Sequence, residues 1–180
     1  MFALTPRLTL RPGWPEDAPE LARAIGHADV VTKLARVPWP YTEDDARQYL
    51  SQQRGAEEPV FSIVERGPKP RIVGGIGLHA GETPHELGYW LTPSAWGNGY
   101  ATEAGRAVIA IARDTLRLPR LRATAFVGNS ASANVLTKLG FRPTGRTVRL
   151  ASLALHREVD AVETELDLRE PQAGPISLAA

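Results

Sequence analysis

The turn Trp96-Gly97-Asn98-Gly99-Tyr100-Ala101-Thr102 has the residue types of an anion-binding loop. A helix start leaves backbone N–H groups without partners, and the aligned peptide dipoles add partial positive charge there, so a phosphate is well placed beside it. Gly97 and Gly99 let the backbone curl close to a ligand with no Cβ in the way. Gly97 to Thr102 therefore reads as a diphosphate cradle, with an ordinary ligand-free tight turn as the alternative, because a bare G-x-G is common. The turn lacks the G-K-[ST] ending of a nucleoside triphosphate loop. The 4 histidines show no H-E-x-x-H spacing, so no metal is indicated. With no cysteine there is no disulfide, no thiolate metal site and no acyl-cysteine intermediate. Two aromatics, Trp39 and Tyr41, stand in the stiff loop Pro38-Trp39-Pro40-Tyr41 and read either as one wall of a substrate pocket or as a plug over the core.

The elements around the turn have a clear order. Glu86 to Leu91 is a strand of aromatic and aliphatic residues closed by Thr92-Pro93. After the glycine turn, Ala104, Val108, Ile111, Ala112 and Leu116 recur at helical spacing, and Leu121 to Val127 forms a second strand. This is a β-α-β unit with parallel strands. Upstream, Arg7 to Arg11 alternates like a half-buried edge strand. A helix starts at Pro15 and stops at Gly26, and a short helical piece covers Val30 to Leu34. Thr42-Glu43-Asp44-Asp45 resembles a capping box opening a helix to about Arg54. Val60 to Val64 and Ile72 to Leu78 form a hairpin, and the loop Ala80 to Pro84 leads back into Glu86. Downstream, Asn129 to Leu139 is a helix with cap residues at its start and Gly140 as its stop. A last hairpin pairs Gly145 to Leu150 with Val159 to Leu168, and a frayed tail follows from Glu170. The fold class is α/β, an α+β mixed sheet of about seven strands.

The chain has 180 residues, enough for one domain with a sizeable core. Lys and Arg number 21 against 20 Asp and Glu, so no basic field points to nucleic acid or an anionic membrane. The start Met1 to Arg7 lacks the pattern of a secretory signal, and no apolar run would span a bilayer, so a cytoplasmic location is the expectation.

Strand, W-G-N-G-Y-A-T-E-A, helix, strand, then N-x-x-S-x-x-V-L-x-K-L-G-F from Asn129 to Phe141 resembles the GNAT superfamily of acyl-CoA N-acyltransferases. The opening Thr5-Pro6-Arg7-Leu8-Thr9-Leu10-Arg11-Pro12 and the Pro40-Tyr41-Thr42 loop are similar to its branch of ribosomal-protein N-terminal acetyltransferases. The likeness covers residues 5 to 168 and implies one GNAT domain over residues 1–169, mostly antiparallel, with a central parallel crossover and helices on both faces.

The resemblance also implies roles. Acetyl-CoA is the expected cofactor, its pyrophosphate held by Gly97, Asn98, Gly99, Tyr100, Ala101 and Thr102. Tyr89, Trp90 and Leu91 would offer main-chain groups to the pantetheine arm, and Asn129 would bond it from the other side. The parallel strands would splay to admit it. Many members carry an acidic tyrosine in the last helix, where this chain has Leu136. Ser132 becomes the candidate proton donor, with helix capping or a cofactor hydrogen bond as its alternative roles. Glu86 is the candidate base, acting directly or through water, or else a solvated carboxylate, and His79 lies across the hairpin loop from it. Glu103 reads as structural, since a carboxylate facing the diphosphate would repel it. Two functions follow: acetyl transfer to a primary amine by direct attack in a ternary complex, or a non-catalytic acyl-CoA sensor. The acceptor is a protein N-terminus or a small molecule, with Trp39, Tyr41 and His79 as substrate contacts. The final hairpin or an edge strand offers a surface for a homodimer.

Overall fold

A computed structural model of the chain describes residues 1–80 and 84–169. Its centre is one sheet of eight strands in the order β1-β2-β3-β4-β5-β6-β8-β7. The strands are β1 (Ala3–Leu4), β2 (Leu8–Arg11), β3 (Val60–Glu65), β4 (Arg71–His79), β5 (His85–Leu91), β6 (Arg120–Phe126), β7 (Arg142–Ser152) and β8 (Arg157–Asp167). All neighbouring pairs are antiparallel except β5 and β6, the parallel pair expected from the β-α-β pattern.

Burial follows position in the sheet. From Ile72 to Leu78, β4 is buried without alternation, as befits a central strand covered on both faces. In β2, by contrast, Leu8 and Leu10 are fully buried between half-buried Thr9 and Arg11. The edge strand β7 is exposed over most of its length and carries Arg142, Arg146 and Arg149, charges that discourage edge pairing.

Helices cover both faces. On one side α1 (Ala18–Ile25) and α3 (Glu43–Leu50) bury Leu21, Ala24 and Ala46 against Val64 and Ile72. The short α2 (Ala28–Val31) extends this layer. On the other side α4 (Tyr100–Ala110) and α5 (Ser130–Lys138) put Ala104, Val108, Ile109 and Leu136 into the main core with Ile76, Leu78, Leu87 and Leu121.

Several boundaries differ from expectation. A two-residue strand, β1, adds the eighth member; it is too short to show a period in the sequence. The helix expected to reach Arg54 stops at Leu50, and the piece expected at Val30 to Leu34 is α2, three residues earlier at its end. The run from Ala104 to Leu116 leaves α-geometry after Ala110 and closes as a π-turn over Ile111–Thr115. The last hairpin starts at Arg142, and Gly145, at φ +81°, sits in a register shift between Pro143 and Thr147. The loop Ala80 to Pro84 lies partly, and the tail from Glu170 wholly, outside the described residues. Among the described residues no helix is long and apolar enough to cross a membrane.

Close packing at the centre gives a direct test. A Cβ on Gly74 would stand 2.3 Å from the Trp90 carbonyl oxygen, whereas one on Gly67 would meet nothing. Chemical denaturation should find Gly74→Ala less stable by about 1–3 kcal/mol, and Gly67→Ala within about 0.5 kcal/mol of the parent.

Candidate functional site

The parallel pair β5 and β6 is bridged at only two positions, His85 to Leu121 and Glu86 to Arg122. Beyond them β5 runs on to Leu91 and β6 to Phe126 without pairing, so the strands part. The Thr92 N–H bonds the Val73 carbonyl on β4. By strand alternation the main-chain groups of Trp90 also face β4, while those of Leu87, Tyr89 and Leu91 face the gap. The expected main-chain contribution thus falls to Tyr89 and Leu91, and Trp90 is corrected to a side-chain role: its indole lies over Gly75. The Leu91 carbonyl already accepts from the Trp96 indole at 2.9 Å.

A cavity of about 880 Å³ passes through this gap. Its lining includes Tyr89 and Leu91 from one face of β5 and Glu86, Gly88 and Trp90 from the other. Asn129 and Ser132 of the α5 start line it too, as do Tyr41 and His79. Trp39, expected beside Tyr41, is 42% exposed and does not line it. Burial pushes the Tyr41 hydroxyl pKa well above its ordinary value, so it stays protonated.

At the mouth, next to Trp96, sits the glycine turn. Gly97 and Gly99 adopt φ +76° and +77°, the left-handed region open to glycine. From Gly97 to Thr102 no backbone N–H has an acceptor among the described residues; the first bond of the helix is Glu103 N–H to the Gly99 carbonyl. A Cβ on Gly97 would meet nothing, so the space over the turn is open. An unsatisfied row of donors at the start of an eleven-residue helix fits a diphosphate. Tyr100 contributes main chain only, because its hydroxyl donates to Glu65 at 2.5 Å.

Glu103 turns away from the turn and is held by β2 and the residues before it. It accepts from the Thr5 hydroxyl at 2.6 Å, the Arg7 N–H at 2.9 Å and Arg7 Nε at 2.7 Å. The same guanidinium donates to the Asn98 carbonyl at 2.9 Å and lies 4.7 Å from the Tyr100 ring centre. Burial alone would raise the Glu103 pKa; the bonds from Thr5 and Arg7 outweigh it and hold the carboxyl below its usual range. This clamp, absent from the sequence reading, gives the opening Thr5-x-Arg7 pattern a physical purpose.

Two proton-handling groups flank the gap. The Tyr89 hydroxyl lies 2.9 Å from Ser132 Oγ, and burial pushes its pKa up to about 12, so it is a protonated hydroxyl at neutral pH. Asn129 Oδ1 caps α5 by accepting the Ser132 N–H at 3.2 Å. Leu136 is buried at 2% exposure and is core. The role of Tyr89 as a hydroxyl was missed, although alternation along β5 places it on the α5 face. On the opposite face Glu86 accepts from Thr124 Oγ1 at 2.7 Å, with Arg122 at 3.8 Å. His79 is its direct cross-strand neighbour. Burial, then the nearby Arg36, lowers the His79 pKa and keeps the imidazole neutral.

A family model described as an acetyltransferase (GNAT) domain matches residues 7–142. The chain is 36% identical over 85 residues to the uncharacterized N-acetyltransferase YoaA of Bacillus subtilis (strain 168), covering 46% of this chain and 48% of that one. The match therefore spans about half the length of that relative. A solved GNAT-family acetyltransferase from Bacillus anthracis is 25% identical with a TM-score of 0.78, covering 94% of this chain and 100% of the other. RimJ of Mycobacterium smegmatis, solved in complex with CoA-disulfide, shares the fold at 23% identity and TM-score 0.74, covering 92% and 86%.

The clamp on the turn is testable by charge removal. Glu103→Gln should cost about 1–2 kcal/mol of stability at neutral pH, from lost charge-assisted bonds. The folded pKa of Glu103 lies below the ordinary 4.5, so its stabilisation is present above that value and lost as pH falls through the folded pKa. Acid titration of stability should accordingly be shallower below about pH 4.5 in the glutamine variant than in the parent.

Proposed function

From the premise that the chain belongs to the GNAT acetyltransferase family, we propose that it transfers acetyl from acetyl-CoA to a primary amine by direct attack in a ternary complex. One observation carries the reading: a cavity opens between the parted parallel strands, with Trp96, which leads into the glycine turn, and the Glu86 carboxylate both in its lining. A ligand with a diphosphate at one end and a slender arm suits that shape. Acetyl-CoA is such a molecule, and when bound it supplies a thioester whose acyl carbon an amine can attack.

The chain's own groups divide the remaining work. N–H groups from Gly97 to Thr102 receive the diphosphate, and the Arg7 and Glu103 clamp keeps them convergent. Main-chain groups of Tyr89 and Leu91 border the arm, and an N–H there polarises the acyl carbonyl. Glu86, oriented by Thr124 with neutral His79 beside it, takes the proton of the incoming ammonium. An α-amine, with pKa about 7.7–8.0, makes a smaller demand on this base than a lysine at about 10.4. On the other side of the gap the Tyr89 and Ser132 hydroxyls form one hydrogen-bonded pair, so Ser132 holds a proton with Tyr89 behind it. A protein N-terminus and a small-molecule amine both fit these requirements.

Thiol release with acetyl-CoA and a mixed panel of peptide and small-molecule amines tests the reading. Release above the amine-free rate supports transfer, and cofactor binding without release would leave an acyl-CoA sensor. In the active case Ser132→Ala should lower kcat by roughly tenfold to a hundredfold with little change in cofactor affinity. Equal loss confined to cofactor affinity would make Ser132 a binding contact. Tyr89→Phe should act in the same direction as Ser132→Ala, and the double variant should lose less than the sum, as expected for partners in one pair.

A further inference from the structure

The side of the cavity that faces α1 and α3 has an unusual floor. Register places Gly75 opposite Trp90, Gly77 opposite Gly88, and His79 opposite Glu86, all three pairs on one face. The middle pair raises no side chain; Val60 covers Gly77, where a Cβ would meet its Cγ2 at 2.7 Å, so a trough over Gly88 lies between the Trp90 indole and the His79 and Glu86 pair. A Cβ on Gly88 would stand 3.6 Å from the His79 ring, and one on Gly75 would meet the Trp90 indole nitrogen at 2.6 Å. The trough thus ends at the proposed base, which is where an amine must sit.

The charges above that end are distributed unevenly in their commitments. Cationic and anionic side chains in the lining nearly balance by number. The carboxylates are mostly engaged: Glu86 by Thr124, Glu58 by the Ala80 N–H at 2.8 Å, and Asp45 by the Thr42 capping box. Among the described residues of the lining, Asp29 alone is uncommitted, on the exposed surface of α2. Two arginines that line the same cavity have no carboxylate partner among the described residues. Arg54, over the Tyr49 ring at 4.5 Å, donates only to neutral oxygens, the Tyr49 carbonyl at 3.4 Å and Gln52 Oε1 at 3.2 Å. Arg36 makes no hydrogen bond or ion pair among the described residues. Both line the same cavity as His79, and both guanidiniums favour its neutral form against the opposing pull of Glu86 and Glu58.

We propose that the acceptor is a small amine bearing a carboxylate close to its amino group, as a free amino acid does, with Arg36 and Arg54 receiving that carboxylate while the amine rests over Gly88 beside Glu86 and His79. The inference rests on the acetyl-transfer reading and narrows its acceptor. Guanidinium and carboxylate pair through short, charge-assisted bonds, and two arginines from separate segments of one cavity wall would fix the orientation of the amine. The same charges disfavour a polyamine, whose second cation would lie against them. Transfer is balanced within this geometry: Glu86 takes the first ammonium proton, the amine nitrogen bonds to the acyl carbon as the carbon–sulfur bond breaks, the departing thiolate takes the Ser132 hydroxyl proton, and the second proton lost by the nitrogen restores that hydroxyl.

Matched pairs test it: phenylalanine against phenylalaninamide, methionine against methioninamide, together with spermidine and a peptide with a free N-terminus and an amidated C-terminus. Thiol release with acetyl-CoA should give a kcat/KM at least about tenfold higher for the carboxylate in one or more pairs. The amides ionise less and have more free amine at neutral pH, which makes that margin conservative. In the Arg36→Ala and Arg54→Ala double variant the ratio should fall towards unity, with Arg36→Lys retaining part of it. Calorimetry on coenzyme A-loaded protein supplies a readout independent of turnover, and should show the carboxylate member binding more tightly. Equal or amide-favoured values in every pair, by both readouts, would overturn the proposal, as would spermidine or the peptide outcompeting them all. Thermal shift with acetyl-CoA separates the two failures. A missing shift removes the acetyl-transfer reading, and a shift without any carboxylate preference removes only the acceptor.

Discussion

The parting of β5 and β6 after Glu86 and Arg122 is the constraint from which the rest of the site follows. A sheet that stops pairing in its middle leaves main-chain donors and acceptors exposed within a covered structure, and such groups need partners. Here Trp96 satisfies one, the Leu91 carbonyl, and the others on that edge of β5 border a cavity. Because the opening lies between two parallel strands, the helix that connects them starts at its end, and its unpaired N–H groups point outwards there. Cradle and channel are therefore one feature, made by a single β-α-β connection.

Keeping such an opening demands support from elsewhere, and the N-terminal strands provide it. Arg7 holds Glu103 and the Asn98 carbonyl, so the glycine turn is fixed from outside and not by bonds through its own N–H groups. Arg11, two turns of the pleat further on, makes a bidentate pair with the buried Asp17, at 2.6 and 2.8 Å, and Asp17 also accepts the Trp14 N–H. That second pair anchors the start of α1, the helix that roofs the acceptor side with α3. The two arginines of β2 and its entry thus position opposite ends of the same site.

What the sequence revealed and what it concealed divide along the range of the interaction. The glycine turn, the capping box at Thr42 and the helix stop at Gly140 are local, each written in adjacent residues, and all were legible. The parallel pair followed from one strand-helix-strand pattern. The Glu103 clamp joins residues 98 apart, and no window of sequence contains it. Trp90 illustrates a subtler gap: its presence at the site was legible, but which way its main chain points depends on the register with β4. The pairing of Tyr89 with Ser132 likewise needs the angle at which α5 crosses the sheet. Trp39, two residues from Tyr41, shows how little sequence proximity decides about a cavity wall.

On the proposed function, the N–H groups from Gly97 to Thr102 and the free edge of β5 together receive one ligand. Amide NMR of the labelled protein, titrated with coenzyme A, addresses both at once. Saturable shifts and slowed hydrogen exchange are expected at Asn98 to Thr102 and at Tyr89 and Leu91, with the same dissociation constant at every position. Amides of the turn and of β5 that stay unmoved at concentrations where the protein is otherwise shown to bind coenzyme A would contradict that expectation.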